Sequence, residues 1–357
     1  MFLKNIVLKN FRNYYDRQFD FCNSFNFITG FNGTGKTNLL EAISVVSNIK
    51  SFRGAVDKKL IKQNEEYYYL RGLVQSNNSE NIYEVAFLNS EKVKKKLKID
   101  NEKIDRLTDY YGRFLTVCFS PNDTSLINGI PEIKRKYIDS IISKIDKKYF
   151  KTICEYRRVL NNRNTLLKNR NIDYKNLEIW DTLLAEKSSY IIQRRDNFIN
   201  SLSSLICEYY NIISYEKEKI DIIYKPSIKL SDKENIYENI RNNNKKDIRF
   251  KTTTIGPHRD SYSVRYLGDD CSYYASNGQQ RSMAIAIRMA EMNIIEKITE
   301  KKAVILVDDI FSELDKLRRH NLIRFIHNNN QVIFTVPSVD CFEKEYISDS
   351  ILYNLNK

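Results

Sequence analysis

Gly30-Phe31-Asn32-Gly33-Thr34-Gly35-Lys36-Thr37 decides the fold. The run matches G-x-x-x-x-G-K-[ST], a phosphate-binding loop in which each residue type has a task. Glycines let the backbone curl so that successive N–H groups face an anion. The helix that follows adds its positive N-terminal end, and Asn38 carries the site into its first turn. Lys36 reaches the β- and γ-phosphates of ATP, and the Thr37 hydroxyl ligates Mg2+. The flanks fit: Phe25, Phe27 and Ile28 form a strand-like run into Gly30. Leu39, Leu40, Ala42, Ile43 and Val46 keep helical spacing after it.

Far downstream, Val304-Ile305-Leu306-Val307-Asp308-Asp309 is an apolar β-run ending in two acids. This is the Walker B pattern, which sets a carboxylate at the C-terminal end of a central strand. Asp308 is expected in the Mg2+ shell, and Asp309 is placed to orient or deprotonate an attacking water. Between the two motifs, Ala275-Ser276-Asn277-Gly278-Gln279-Gln280-Arg281-Ser282 opens a helix running to about Ile298. It resembles the signature motif of ATP-binding-cassette proteins, in which Ser276, Gly278 and Gln279 would grip the ATP of a partner head. A plain Ser N-cap explains Ser276 and Gly278 equally well. The order along the chain, with the signature just before Walker B, favours the cassette reading. Phe311-Ser312-Glu313-Leu314-Asp315 resembles that superfamily's D-loop.

The remaining chain sorts into a split head and an arm. Tyr67–Leu70, Ile82–Phe87 and Lys94–Ile99 read as strands, the last turning at Asp100-Asn101. The Lys-rich stretch from Lys92 to Lys98 reads as a solvated strand face, with a dedicated DNA contact as the alternative. Pro121 to Pro131 reads as a loop. Ile138, Ile142, Ile145, Tyr149, Ile153, Tyr156, Leu160 and Leu167 then form one helical stripe, with Lys144, Lys147, Lys151 and Arg158 opposite. A polar break from Lys168 to Asn176 leads to a second stripe of Trp180, Leu184, Ile191, Phe198, Leu202, Leu205 and Tyr209. This pattern predicts an antiparallel helical arm over 121–219, inserted in an ATPase head built from 1–120 and 220–357. Ser231-Asp232-Lys233-Glu234 resembles a capping box, and Lys251–Ile255 and Tyr262–Tyr266 read as short strands.

Composition sets the outer bounds. The 357 residues carry 58 Lys+Arg and 45 Asp+Glu, a formal net charge of +13. That excess suits a polyanionic partner such as nucleic acid, but compositional bias of the source genome explains it too. Ala303–Val307 is too short to cross a bilayer, and Met1–Asn5 shows no secretory leader. Cys22, Cys118, Cys154, Cys207, Cys271 and Cys341 lie far apart and read as buried, reduced thiols of a soluble cytoplasmic protein.

A short arm inserted in a split cassette head resembles the RecF family, within the SMC/Rad50 branch of cassette ATPases. The residues that carry the likeness are Leu8–Tyr14, Gly30–Ile43, Lys50–Arg53, Phe119–Asp123, Gly129–Pro131, Lys134–Lys136, Ile255–Asp260 and Ser276–Ser282. There are departures. Asn122 stands where the family often carries Glu, Ser261 replaces a common second Asp, and Val336-Pro337-Ser338 contains no switch histidine. His258 reads as catalytic or structural, with a structural strand-end role favoured.

The resemblance implies an α/β cassette-type P-loop head that binds ATP and Mg2+. It implies an ATP-dependent homodimer, in which Lys36 and Thr37 of one head and Ser276 and Gly278 of another share the nucleotide. It also implies binding to single- and double-stranded DNA at gaps and junctions, with weak DNA-stimulated hydrolysis. RecR and RecO are the implied partners, in loading RecA and in the SOS response at a nucleoid-associated location. Two rivals stand beside it. One is a soluble cassette motor of another system, such as a transporter; the other is an ATP-gated DNA-binding module without turnover.

Overall fold

The period-two alternation of Tyr67–Ser76 and Ser79–Leu88 belongs to an antiparallel sheet. The computed structural model describes residues 1–76, 79–90, 94–215, 218–230, 232–327, 330–340 and 342–356. In chain order, β1 (Phe2–Phe11) and β2 (Tyr14–Asp20) form a hairpin, and β3 (Phe25–Thr29) leaves for a second sheet. Then β4 (Tyr67–Ser76), β5 (Ser79–Leu88), β6 (Lys94–Ile99) and β7 (Glu102–Lys103) complete the first sheet in the order β2-β1-β4-β5-β6-β7. The turn from β6 to β7 has Asp100 and Asn101 at φ 52° and 67°, the left-handed pair that a type I′ hairpin turn requires. On β6, Leu97 and Ile99 are buried while Lys96 and Lys98 face solvent. Lys95 instead reaches inward to Asp57 at 2.7 Å, and Lys92 lies outside the described residues.

The second sheet is wholly parallel. It joins β3 to β8 (Thr116–Phe119), β12 (Val304–Asp308), β13 (Val332–Val336) and β14 (Ile351–Asn354) in the order β14-β3-β13-β12-β8. Every residue of β3, β8, β12 and β13 is buried, which is why these strands read as unbroken apolar runs rather than alternations. Helix α1 (Lys36–Asn48) lies between the sheets. Its Leu39, Leu40, Ile43 and Val46 share one core with Leu3, Leu8, Leu70 and Val85 of the first sheet and Ile28, Leu306 and Ile333 of the second. Each such side chain contributes about 1.5–3 kcal/mol by leaving water, so the helix that starts at the phosphate loop is held on both sides.

The chain divides into two units, Met1–Asp123 with Ile212–Tyr215 and Arg288–Lys357, and Thr124–Asn211 with Glu216–Ile287. The sequence partition assigned 220–287 to the head; those residues, Ser276, Gly278 and Gln279 included, group with the helices instead. Buried ion pairs explain the difference. In the second unit β9 (Ile220–Lys225), β10 (Ser261–Tyr266) and β11 (Asp269–Asp270) form a small antiparallel sheet. Arg195 of the long helix bonds Pro257 O at 2.6 Å and Asp260 at 2.9 Å. Arg163, fully buried, bonds Asp181 at 2.7 Å and Asp247 at 2.8 Å. These contacts bind the segment to the arm, and no local pattern reports them.

Helices Pro131–Ile145, Lys147–Leu166 and Tyr174–Ser214 build that arm. Ion pairs Arg163–Asp181, Glu155–Lys187 and Asp146–Arg194 run down an antiparallel seam. The first apolar stripe belongs to two helices rather than one, because the Asp146 side chain accepts the Tyr149 N–H and starts the second. The expected loop 121–131 contains a 3-10 turn (Pro121–Thr124) and a helical turn (Ser125–Asn128). Asp232, not Ser231, caps helix Lys233–Asn242; Ser231 lies outside the described residues. Lys251–Ile255 is not a strand. Helix Asn244–Phe250 precedes it, and the N–H groups of Thr253 and Thr254 are taken by Asn164 and Asp247 side chains in place of a ladder. Among the described thiols Cys118 and Cys271 are buried, Cys22 and Cys207 partly so, and Cys154, expected inside, is exposed; Cys341 lies outside the described residues. No helix among the described residues is long and apolar enough to cross a membrane.

His258 sits in the 3-10 turn Pro257–Arg259. Its Nε2 lies 3.0 Å from the Thr253 carbonyl, which can only accept, so Nδ1 is left to accept from the Tyr156 hydroxyl at 2.6 Å. Burial lowers its pKa from 6.5 to about 4, against the opposing pull of the Thr253 bond. As pH falls from 6.5 toward 4, the unfolded chain takes up a proton that folded His258 refuses, so stability is lost across that window. Urea unfolding at pH 7 and pH 5 is expected to show about 2 kcal/mol more acid loss in the wild type than in His258→Gln.

Candidate nucleotide site

The glycine loop connects the C-terminal end of β3 to the first turn of α1, the place where an open parallel sheet binds ligands. Gly35 precedes the helix at φ 109°, a left-handed conformation; a Cβ there would lie 2.5 Å from the Asn13 amide nitrogen. Among the described residues no side chain caps the helix, so its first N–H groups remain available to an anion. Lys36 is 7% exposed, and its Nζ lies 2.5 Å from Gly30 O and 3.0 Å from Phe31 O. Its charge is therefore held inside the loop by the loop's own carbonyls. Phe31 is 75% exposed, and Thr34 closes the loop by donating to Phe31 O at 2.9 Å.

The two sequence motifs meet. Thr37 Oγ1 donates to Asp308 Oδ1 at 2.8 Å, across the ends of α1 and β12. Thr335 on β13, the strand between β3 and β12, donates to the same oxygen at 2.8 Å. Burial raises the Asp308 pKa, the two hydroxyls work against that shift, and neighbouring Asp309 adds to it. Asp309 turns away at φ 47° with its N–H on Thr335 O at 3.1 Å. Its Oδ1 atom is buried with no hydrogen-bond partner among the described residues. The hydroxyl and carboxylate oxygens of Thr37 and Asp308 are a donor set that fits a hard cation. No cluster of three His, Cys, Asp or Glu residues surrounds them among the described residues, so such a cation draws further oxygens from a ligand or water.

Several residues that support the loop were not assigned a role from sequence. Asn13 donates to Thr34 O at 3.0 Å and accepts from Asn38 at 2.8 Å, and the Tyr14 hydroxyl donates to Gly35 O at 3.1 Å. Arg12 makes a two-pronged pair with Glu41 on α1 at 2.8 and 2.9 Å. Glu41 is fully buried, and also accepts from Ser51 at 2.5 Å with Arg53 at 3.8 Å. Their partners are distant in sequence, so Arg12-Asn13-Tyr14 and Lys50–Arg53 stood out only as part of the family resemblance, with no role attached.

In the second unit, Ser276 and Gln279 cap the helix Asn277–Thr299 reciprocally. The Ser276 N–H donates to Gln279 Oε1 at 2.9 Å, and the Gln279 N–H donates to Ser276 Oγ at 3.2 Å. Ser276 is exposed and Gly278 half-buried in the first turn. Gln279 also reaches the Tyr266 hydroxyl at 2.8 Å. Asn122 is exposed in its 3-10 turn, where Asp123 instead pairs with Arg288 at 2.7 Å.

The family model described as RecF/RecN/SMC N terminal domain matches residues 2–350. A relative named DNA replication and repair protein RecF, from Leptospira interrogans, is 37% identical over 340 residues, 95% of this chain and 93% of that one. The chain belongs to the RecF family. A solved structure of the recombination mediator protein RecF-ATP in the RecFOR pathway is 35% identical to this RecF-family chain, covering 96% of it and 93% of its own chain at a TM-score of 0.90. An Smc head bound to the C-winged helix domain of ScpA shares the fold, with a TM-score of 0.53 and 16% identity over 95% of this chain and 90% of its own. The fold is thus that of a cassette ATPase head of the RecF and SMC kind.

Arg12→Met leaves the buried Glu41 carboxylate without its closest cation. It is expected to cost about 3 kcal/mol in urea unfolding, and the double variant Arg12→Met/Glu41→Leu is expected to recover much of that loss.

Proposed function

We propose that this chain is an ATP-dependent DNA-binding protein of recombinational repair and replication-fork maintenance. The observation that carries the reading is the 2.8 Å meeting of Thr37 with Asp308 beside a glycine loop that holds the Lys36 charge. A relative named as a DNA replication and repair protein, and a solved recombination mediator protein RecF with ATP, support it. In this reading the N–H groups of Gly30–Asn38 and the Lys36 ammonium bind the triphosphate. Thr37 and Asp308 hold Mg2+, which when bound neutralises charge on the phosphate oxygens. Asp309, with an oxygen free of partners among the described residues, orients a water toward the γ-phosphorus as the bridging oxygen leaves with ADP. Turnover is slow and stimulated by DNA.

Ser276, Gly278 and Gln279 of a second copy complete the site and make the homodimer ATP-dependent. The reciprocal Ser276–Gln279 cap fixes the first turn and turns the positive end of a 23-residue helix toward an anion. ATP then shifts the monomer–dimer balance because only the dimer offers both surfaces. The exposed Lys147, Lys151 and Arg158 on the arm supply phosphate contacts to gapped or single-stranded DNA, so affinity falls steeply with salt. RecR and RecO are the partners of the complex, acting ahead of RecA loading and the SOS response.

The deciding measurement is fluorescence anisotropy of a labelled gapped duplex, titrated with the protein with and without ATP and Mg2+. Binding at least tenfold tighter with ATP is expected in the wild type and absent in Lys36→Ala, which loses nucleotide affinity by about 100-fold. Equal binding in both conditions would detach the nucleotide from DNA. Ser276→Arg is expected to bind ATP normally yet stay monomeric by light scattering; ATP-induced dimers of that variant would end the shared-site reading.

A further inference from the structure

The phosphate loop is held from outside by the segment Ile351–Asn356. Strand β14 lies at the edge of the parallel sheet, beside β3, with Asn354 opposite Thr29. Past the strand, the Leu355 N–H donates to Thr29 O at 2.9 Å. The Asn356 N–H donates to the Asn354 side chain at 3.0 Å and turns the chain toward the loop. A second tether lies at Tyr353, whose hydroxyl accepts the Asp20 N–H at 2.9 Å and donates to Asp20 O at 3.0 Å. So placed, Asn356 Oδ1 accepts the Phe31 N–H at 2.7 Å. Gly30 makes room: a Cβ there would lie 3.1 Å from Asn356 Oδ1 and 3.4 Å from Leu355 Cβ.

The Phe31 N–H and the Gly30 C=O belong to one planar trans peptide, so they point in opposite directions and rotate together. An acceptor on the N–H therefore aims the carbonyl. That carbonyl is the 2.5 Å partner of Lys36 Nζ. We infer that Asn356 is a positioning residue of the nucleotide site: it sets the Gly30–Phe31 peptide, and through it the place of the Lys36 ammonium. The inference rests on the ATP reading above, and it adds a residue more than three hundred positions from the loop.

Two measurements on the full chain test it. The first is affinity for a fluorescent ATP analogue with Mg2+. Asn356→Ala is expected to bind it about 3- to 10-fold more weakly, the worth of one hydrogen bond, with Tm within about 2 °C of the wild type. The second is hydrogen exchange at the Phe31 amide of the nucleotide-free protein. Exchange is expected to accelerate in Asn356→Ala and to stay slow in Asn356→Asp, which keeps the acceptor. Affinity of Asn356→Ala within twofold of the wild type would overturn the inference. So would a fall in Tm that tracks the fall in affinity, since that makes the role purely structural. If the wild type binds no ATP analogue, the ATP reading fails instead, and the exchange experiment alone decides whether Asn356 holds the loop peptide.

Discussion

One oxygen of Asp308 receives hydrogen bonds from Thr37 and Thr335, and the arrangement around the glycine loop depends on that shared acceptor. A carboxylate 7% exposed at the end of a parallel strand is costly as an anion unless donors meet it. Here the donors come from α1 and from β13, so the phosphate loop, the acid strand and the strand between them are locked at one point. Thr335 reaches Asp308, and its backbone Asp309, from β13, which lies between β3 and β12. The left-handed turn at Asp309 then separates the two acids. One is committed to hydroxyls, the other has an unclaimed oxygen.

What was readable in the sequence had a local period or a fixed spacing. The loop Gly30–Thr37, the buried runs β3 and β12, the Lys-faced strand β6 and the two apolar stripes of the arm all announce themselves within a dozen residues. What was not readable depends on pairs far apart. Thr335 looks like any strand threonine until Asp308 stands beside it. Asn13 and Tyr14 are polar turn residues until the loop folds over them. Asn356 carries no motif at all. The break at Asp146 was legible in principle, since Asp is a strong N-cap, but the apolar stripe continues across it and masked the interruption.

The different division near residue 220 has the same origin. A sequence partition weighs order along the chain, whereas the second unit is bound by buried arginines. Arg195 and Arg163 draw in Asp260 and Asp247 from the segment beyond the arm, with Tyr224 and Ser227 also on Asp260. Gly256-Pro257-His258-Arg259-Asp260 thereby acquires a physical meaning: Asp260 is a hub for a buried cation, and His258 a neutral spacer between Tyr156 and Thr253. Such pairs add little net stability against apolar packing, but breaking one leaves a charge stranded, so the motif holds the geometry of its unit.

The position of β3 between β14 and β13 also dictates when the site can exist during synthesis. Phe25–Thr29 emerges early from the ribosome, yet both of its neighbours lie beyond residue 331. Until they arrive, the strand presents two open edges and the glycine loop has neither Thr335 nor Asp308 behind it. The surroundings of the glycine loop are therefore assembled by contacts of very high sequence separation, a topology that folds slowly. Helix α1 can pack against the antiparallel sheet beforehand, which shelters the apolar face of the nascent head while its binding loop waits for the last strands.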